Sequence, residues 1–116
     1  MASQEGEPKR FYAPAYPLEL VRELCDQGKV NFLGRQVQLD VAALDLDLEA
    51  VRACLRSLHE GEFDRSLLYE GTTARLDAYV VRRYPCPNGV TDLYVKFKVF
   101  GSVLQVQVSS FHKAKY

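Results

Sequence analysis

Residues 91–111, TDLYVKFKVFGSVLQVQVSSF, decide the fold of this chain. Apolar and polar side chains alternate through both halves of the stretch, which is the period of a β-strand with one buried face. Gly101 and Ser102 interrupt the alternation. The stretch therefore predicts two antiparallel strands, over residues 91–100 and 103–111, joined by a tight turn.

These two strands have faces of different character. The apolar positions, expected in the core, are Leu93, Val95, Phe97, Val99, Leu104, Val106 and Val108. The alternate positions of the first strand are Tyr94, Lys96 and Lys98, and we call this side of the sheet the lysine face. Gln105 and Gln107 continue it on the second strand. We expect the lysine face to remain uncovered.

Upstream, two further strands are predicted over residues 63–69 and 75–83, followed by a turn at 85–89 (PCPNG). Two amphipathic helices precede them, one over 17–27 and one beginning at Asp47 and running to about residue 58. Between the helices, residues 32–41 suggest a short strand and a helical turn capped by Asp40. The order predicts an α+β fold, with two N-terminal helices packed on one face of an antiparallel sheet. Residues 1–16 predict a flexible arm, and 17–116 a single domain.

Composition is that of an ordinary globular protein. The 116 residues are 47% hydrophobic and 26% charged, which argues against disordered and fibrous classes. The start of the chain is polar, and no stretch reaches the roughly 20 apolar residues of a membrane span. We therefore expect a cytoplasmic protein with no membrane partner. Cys25, Cys54 and Cys86 have no C-x-x-C spacing, so we expect neither a disulfide framework nor a zinc site. The sequence shows no cluster of metal ligands and no glycine-rich phosphate loop, so we expect no metal or cofactor.

Zero net charge conceals an asymmetry along the chain. Residues 1–74 contain 8 basic and 13 acidic side chains, whereas residues 75–116 contain 7 basic and 2 acidic ones. A basic C-terminal half is typical of a phosphate-binding surface, and an ordinary solvated surface is the alternative.

Short motifs from residue 62 onward resemble the MqsR family of toxins from bacterial toxin–antitoxin systems. They are residues 62–67 (EFDRSL), 76–79 (LDAY), 93–99 (LYVKFKV), 103–104 (VL) and 110–113 (SFHK). The resemblance implies a RelE-like fold and a small, metal-independent endoribonuclease, an mRNA interferase that inhibits growth. It also implies two partners, single-stranded mRNA and a cognate antitoxin protein.

The family's functional positions carry over unevenly. Tyr94 and Lys96 match, Arg65 stands where the family has a lysine, and His112 or Lys113 stands where a lysine is expected. Leu76 replaces a functional glutamine. The resemblance thus implies catalytic roles for Tyr94, Lys96, Arg65 and His112.

Chemistry favours the same residues. RNA is cut without metal when its own 2′-hydroxyl attacks the adjacent phosphate, which needs a base, an acid and cations. Lys96 and Arg65 would lower the pKa of the Tyr94 phenol below its usual value of about 10. Histidine is the residue type that exchanges protons near neutral pH, which favours His112. Phosphate contacts are expected from Lys98, Lys113 and Arg82 or Arg83, and base stacking from Tyr79 or Phe100.

Leu76 and Arg65 leave a second hypothesis open. A relative that had lost cleavage would persist as an RNA-binding or protein-interaction module of the same fold.

Overall fold

The structure, a computed structural model, describes residues 7–115. Six strands form one sheet in the order β1-β3-β4-β5-β6-β2. They are β1 (Lys9–Phe11), β2 (Val30–Phe32), β3 (Phe63–Leu68), β4 (Leu76–Cys86), β5 (Gly89–Phe100) and β6 (Gln105–Lys113). All neighbours are antiparallel except β2, which pairs in parallel with β6. The α+β class is confirmed, but the expectation of a purely antiparallel sheet that follows the helices is wrong.

Three α-helices are present in residues 7–115, not the two expected, and a short 3-10 helix (Glu60–Glu62) precedes β3. They are α1 (Leu18–Asp26), α2 (Arg35–Ala43) and α3 (Leu48–Arg56). The two predicted helices correspond to α1 and α3, and the carboxylate of Asp47 caps α3 by accepting the backbone N–H of Ala50 at 2.9 Å. Within residues 7–115, no helix is long and apolar enough to cross a bilayer.

The segment between α1 and α3 forms more regular structure than its sequence pattern indicates. It contains β2 and the nine-residue α2, which follows Gly34 at φ 99°. Asp40 lies inside α2 and does not cap a turn. The helix buries only Val37 and Val41, one turn apart, so its apolar stripe is too narrow to be recognised by period alone.

One hydrophobic core joins the three helices to β4, β5 and β6. All four apolar positions predicted for β5 are buried: Leu93, Val95, Phe97 and Val99. The thiols of Cys25 and Cys54 are also buried, as expected from their helical positions. Leu104 is 49% exposed in the β5–β6 connection, because β6 begins one residue later. Its predicted place in the core is therefore wrong.

A β-bulge changes the register of β5 against β6. Lys96 pairs with Ser110 and Phe97 pairs with Val108, so Ser109 is the extra residue of β6. Side chains alternate strictly in a strand, so one extra residue exchanges the two faces beyond it. Phe111 is consequently buried, and His112 lies on the lysine face opposite Tyr94.

Residues 9–16, within the predicted flexible arm, are attached to the sheet. β1 pairs with β3, and the buried Asp77 carboxylate accepts the backbone N–H groups of Ala15 and Tyr16 at 3.0 Å. The Tyr16 hydroxyl donates to the Arg75 carbonyl at 2.6 Å. Polar anchoring of this kind leaves no hydrophobic period in the sequence. Residues 1–6 of the arm lie outside the described range.

Candidate nucleic-acid interface

The lysine face lies on the central strands of the sheet. Tyr94, Lys96 and Lys98 are all half-buried and alternate with the fully buried positions of β5. On the neighbouring strand, Gln107 pairs with Lys98 and His112 pairs with Tyr94. Directly opposed residues in an antiparallel pair point to the same side of the sheet, so these five side chains share one surface.

Tyr94 and His112 are two functional candidates whose rings are in contact. Their rings stack with centroids 5.4 Å apart and an angle of 26° between the planes. The Nδ1 atom of His112 lies 2.9 Å from the carbonyl oxygen of Lys113. If Nδ1 carries the proton and donates to that carbonyl, Nε2 is left as an acceptor. A phenol and an imidazole in contact can exchange protons with one bound substrate.

Lys96 is oriented by a residue that the sequence analysis missed. Its ammonium donates to the Tyr69 hydroxyl at 2.9 Å and lies 5.1 Å from the centroid of that ring. The Tyr69 carbonyl accepts both the backbone N–H and the hydroxyl of Thr72, which holds the turn after β3. Alternate residues of a strand share one side of the sheet, so the spacing of Arg65, Leu67 and Tyr69 was the sequence signal that could have placed Tyr69 beside Arg65.

Arg65 belongs to the same surface but is already paired. Arg65 lies opposite Ala78, and Ala78 lies opposite Lys96, so the three residues form a row across β3, β4 and β5. The guanidinium Nε of Arg65 donates to the carboxylate of Asp64 at 3.0 Å. This pair lowers the net charge that Arg65 brings to the row.

The expected lowering of the Tyr94 pKa is wrong. Burial of the phenol raises its pKa, and the charges of Tyr69 and Asp64 raise it further, whereas Arg65 acts in the opposite direction. The free energy needed to remove a phenolate from water exceeds the favourable free energy of its attraction to the nearby cation. Tyr94 therefore stays protonated at neutral pH and is suited to donate a proton, not to accept one.

Tyr79 does not lie on the lysine face, so the expectation that it stacks on a base is wrong. It is 1% exposed, stacks on Phe97 at 5.7 Å and meets Phe63 edge-on at 5.5 Å in the core. Burial raises its pKa to about 12. Phe100, the other stacking candidate, is 40% exposed at the end of β5.

Arg82, Arg83 and Lys113 lie beyond the stacked pair, towards one end of the sheet. All three are exposed. Arg83 lies at a bulge in β4 with φ 54°, and its backbone N–H donates to the Asp92 carboxylate at 2.8 Å. Arg82 lies 3.9 Å from the other oxygen of that carboxylate. Asp92 offsets part of the positive charge of the two arginines.

Leu76 of β4 lies on the same side of the sheet as Ala78 and Lys96. It pairs with Leu67, which is buried but lies outside the main core cluster. The two leucines form an apolar patch on this surface, at the position where the resemblance implies a glutamine.

Neither protein-family models nor curated proteins assign a function to this chain. A scan against protein-family models finds no match to this chain. A search of curated proteins also finds no match. In the part of the chain that the structure describes, no group of three or more His, Cys, Asp or Glu side chains is placed to hold a metal ion.

Proposed function

We propose that the chain is a metal-independent endoribonuclease that binds single-stranded mRNA on the lysine face. It would act in the cytoplasm as the toxin of a toxin–antitoxin pair, with helices on one face of a RelE-like sheet and an antitoxin protein as partner. One observation carries the proposal: Tyr94, Lys96 and His112 share one partly exposed surface, with Tyr94 and His112 in ring contact.

Each residue fits one requirement of the reaction. His112 takes the proton of the 2′-hydroxyl as its oxygen attacks the adjacent phosphorus. The bond from phosphorus to the 5′-oxygen breaks, and Tyr94 donates its proton to that leaving oxygen. The products are a 2′,3′-cyclic phosphate and a 5′-hydroxyl. Lys96 stabilises the charge that develops on the phosphate oxygens, and its contact with Tyr69 fixes its position.

Arg65 and Leu76 favour a second candidate, an RNA-binding module that does not cleave. The guanidinium of Arg65 is engaged by Asp64, and an apolar side chain occupies position 76. Such a module would keep the phosphate contacts and lose the chemistry.

Cleavage of a single-stranded RNA by the purified chain, in the presence of a metal chelator, tests the proposal. Wild type should release fragments that end in a cyclic phosphate, and Tyr94→Phe or His112→Ala should slow release by about 10²-fold or more. His59→Ala is the matched control for His112→Ala, because His59 is exposed between α3 and β3 and pairs with Glu62. Expression of wild type should also arrest growth, and either active-site variant should relieve it.

The results separate the two candidates. RNA binding without cleavage at any pH would support the binding module. Absence of both binding and cleavage would refute the RNA-directed function.

A further inference from the structure

A second feature adjoins the lysine face, a cleft of about 530 Å³ between α2 and the C-terminal part of β6. Gln36 and Asp40 line it from α2, and Ser109, His112 and Lys113 line it from the opposite side. His112 therefore borders both the cleft and the Tyr94 stack. The volume lies within the range of pockets that hold small ligands.

Asp40 occupies a position that α2 itself does not favour. It lies in the last turn of the helix, where the backbone carbonyls already concentrate partial negative charge and where α2 itself has no basic residue. Its carboxylate accepts a hydrogen bond from the Gln36 amide at 2.9 Å, and in the described part of the chain none of the ion pairs includes it. A half-buried carboxylate of this kind is ready to accept hydrogen bonds from a ligand in the cleft.

We propose that this cleft is a nucleotide subsite in which Asp40 selects a base that carries an exocyclic amino group and discriminates against uracil. The inference rests on the proposed RNA-binding function and adds its base preference. Lys113, at the same cleft, supplies a cation for the phosphate of the bound nucleotide.

The preference follows from the acceptor-only chemistry of a carboxylate. Cytosine presents an amino group that donates to a carboxylate oxygen. Uracil has a carbonyl oxygen at the same ring position, and two carbonyls flank its one N–H, so it repels an ionised carboxylate. Hydrogen bonds to charged groups are strong enough to give about tenfold discrimination or more.

Two uncleavable probes test the preference: fluorescein-labelled octamers of 2′-O-methyl cytidine and of 2′-O-methyl uridine. Both lack the attacking hydroxyl, and their bases differ only in the group at ring position 4 and the adjoining nitrogen. By fluorescence anisotropy, wild type should bind the cytidine octamer about tenfold more tightly than the uridine octamer. Asp40→Asn should reduce that ratio to about threefold or less and tighten uridine binding, because an amide both donates and accepts.

Glu23→Gln is the matched control, since it removes one negative charge from an exposed position on α1. It should leave the tenfold ratio intact, which separates base selection from a general change in charge. On wild type, addition of the cytidine octamer should shift the NMR signals of the α2 amides around Asp40, and this measurement does not depend on the folding of any variant.

The outcomes distinguish this inference from the function on which it rests. Equal binding of both octamers by wild type, or an unchanged ratio in Asp40→Asn, would overturn the subsite and leave the RNA surface standing. Binding of the cytidine octamer without any shift in α2 would do the same. If wild type binds neither octamer, the RNA-binding function itself fails and the subsite fails with it.

Discussion

Salt should weaken RNA binding by an amount that depends on how many phosphates the lysines on and beside the lysine face contact. Lys96 and Lys98 lie on this face and Lys113 lines the cleft beside it, and we leave Arg65 out because Asp64 already pairs with it. Each phosphate neutralised on a single strand contributes about −0.7 to the slope of log K against log salt, so three contacts predict a slope of about −2. Raising salt from about 50 mM to about 200 mM should then weaken binding roughly 15- to 20-fold.

Lys98→Gln removes one of these contacts without touching the stacked pair. Its slope should fall in magnitude to about −1.4, and its affinity at low salt should fall with it. Arg56→Gln is the control: it makes the same change in charge on α3, where the guanidinium lies 2.6 Å from the Asp26 carboxylate. Fluorescence anisotropy with a single-stranded RNA across a salt series gives all three slopes.

A slope that is equally shallow in both variants would refute the reasoning, because overall charge and not the lysine face would then govern binding. A wild-type slope near zero would refute it more directly. Only a change confined to Lys98→Gln agrees with phosphate contacts on this surface.

Three predictions concern stability, each measured by urea denaturation. Burial raises the pKa of Tyr79 to about 12, so the unfolded chain ionises it first above pH 10. The free energy of unfolding therefore falls as pH rises from 10 towards 12. Between pH 10 and 11 it should fall by about 1 kcal/mol more in wild type than in Tyr79→Phe. Asp77→Asn weakens the anchor of residues 15 and 16 and should cost about 2 kcal/mol, whereas the exposed Asp26→Asn should cost less than about 1 kcal/mol. Leu55→Ala opens the core and should cost about 2–5 kcal/mol, against less than about 1 kcal/mol for the partly exposed Leu48→Ala.

Hydrophobic periodicity was sufficient to predict a helix or strand wherever one face of that element is wholly buried. The apolar stripes of α1 and α3 and the strict alternation of β5 each predict an element, because burial of a continuous face constrains every second, third or fourth residue. The same argument could not find α2, which buries only Val37 and Val41. It also could not find β1, whose three residues pair at an edge of the sheet and leave no buried face.

Side-chain environment was the part of the candidate site that sequence reasoning could not supply. Tyr79 and Tyr94 both follow a plausible strand pattern, yet one lies in the core and the other on the lysine face. The direction of the Tyr94 pKa shift depended on how much of the phenol is buried. The presence of cationic residues nearby in the sequence gives no information about that burial. Tyr69 was missed because its contact with Lys96 crosses the intervening strand.

The contact between Tyr94 and His112 depends on one residue, Ser109. Strict alternation from Val106 would place Phe111 on the lysine face and His112 in the core, which would expose a large aromatic ring and bury an imidazole. The bulge exchanges the two, so that the core gains Phe111 and the surface gains a residue that can exchange protons. The drive to bury Phe111 thus fixes the position of His112, and the packing of the core and the chemistry of the proposed site are satisfied by the same shift in register.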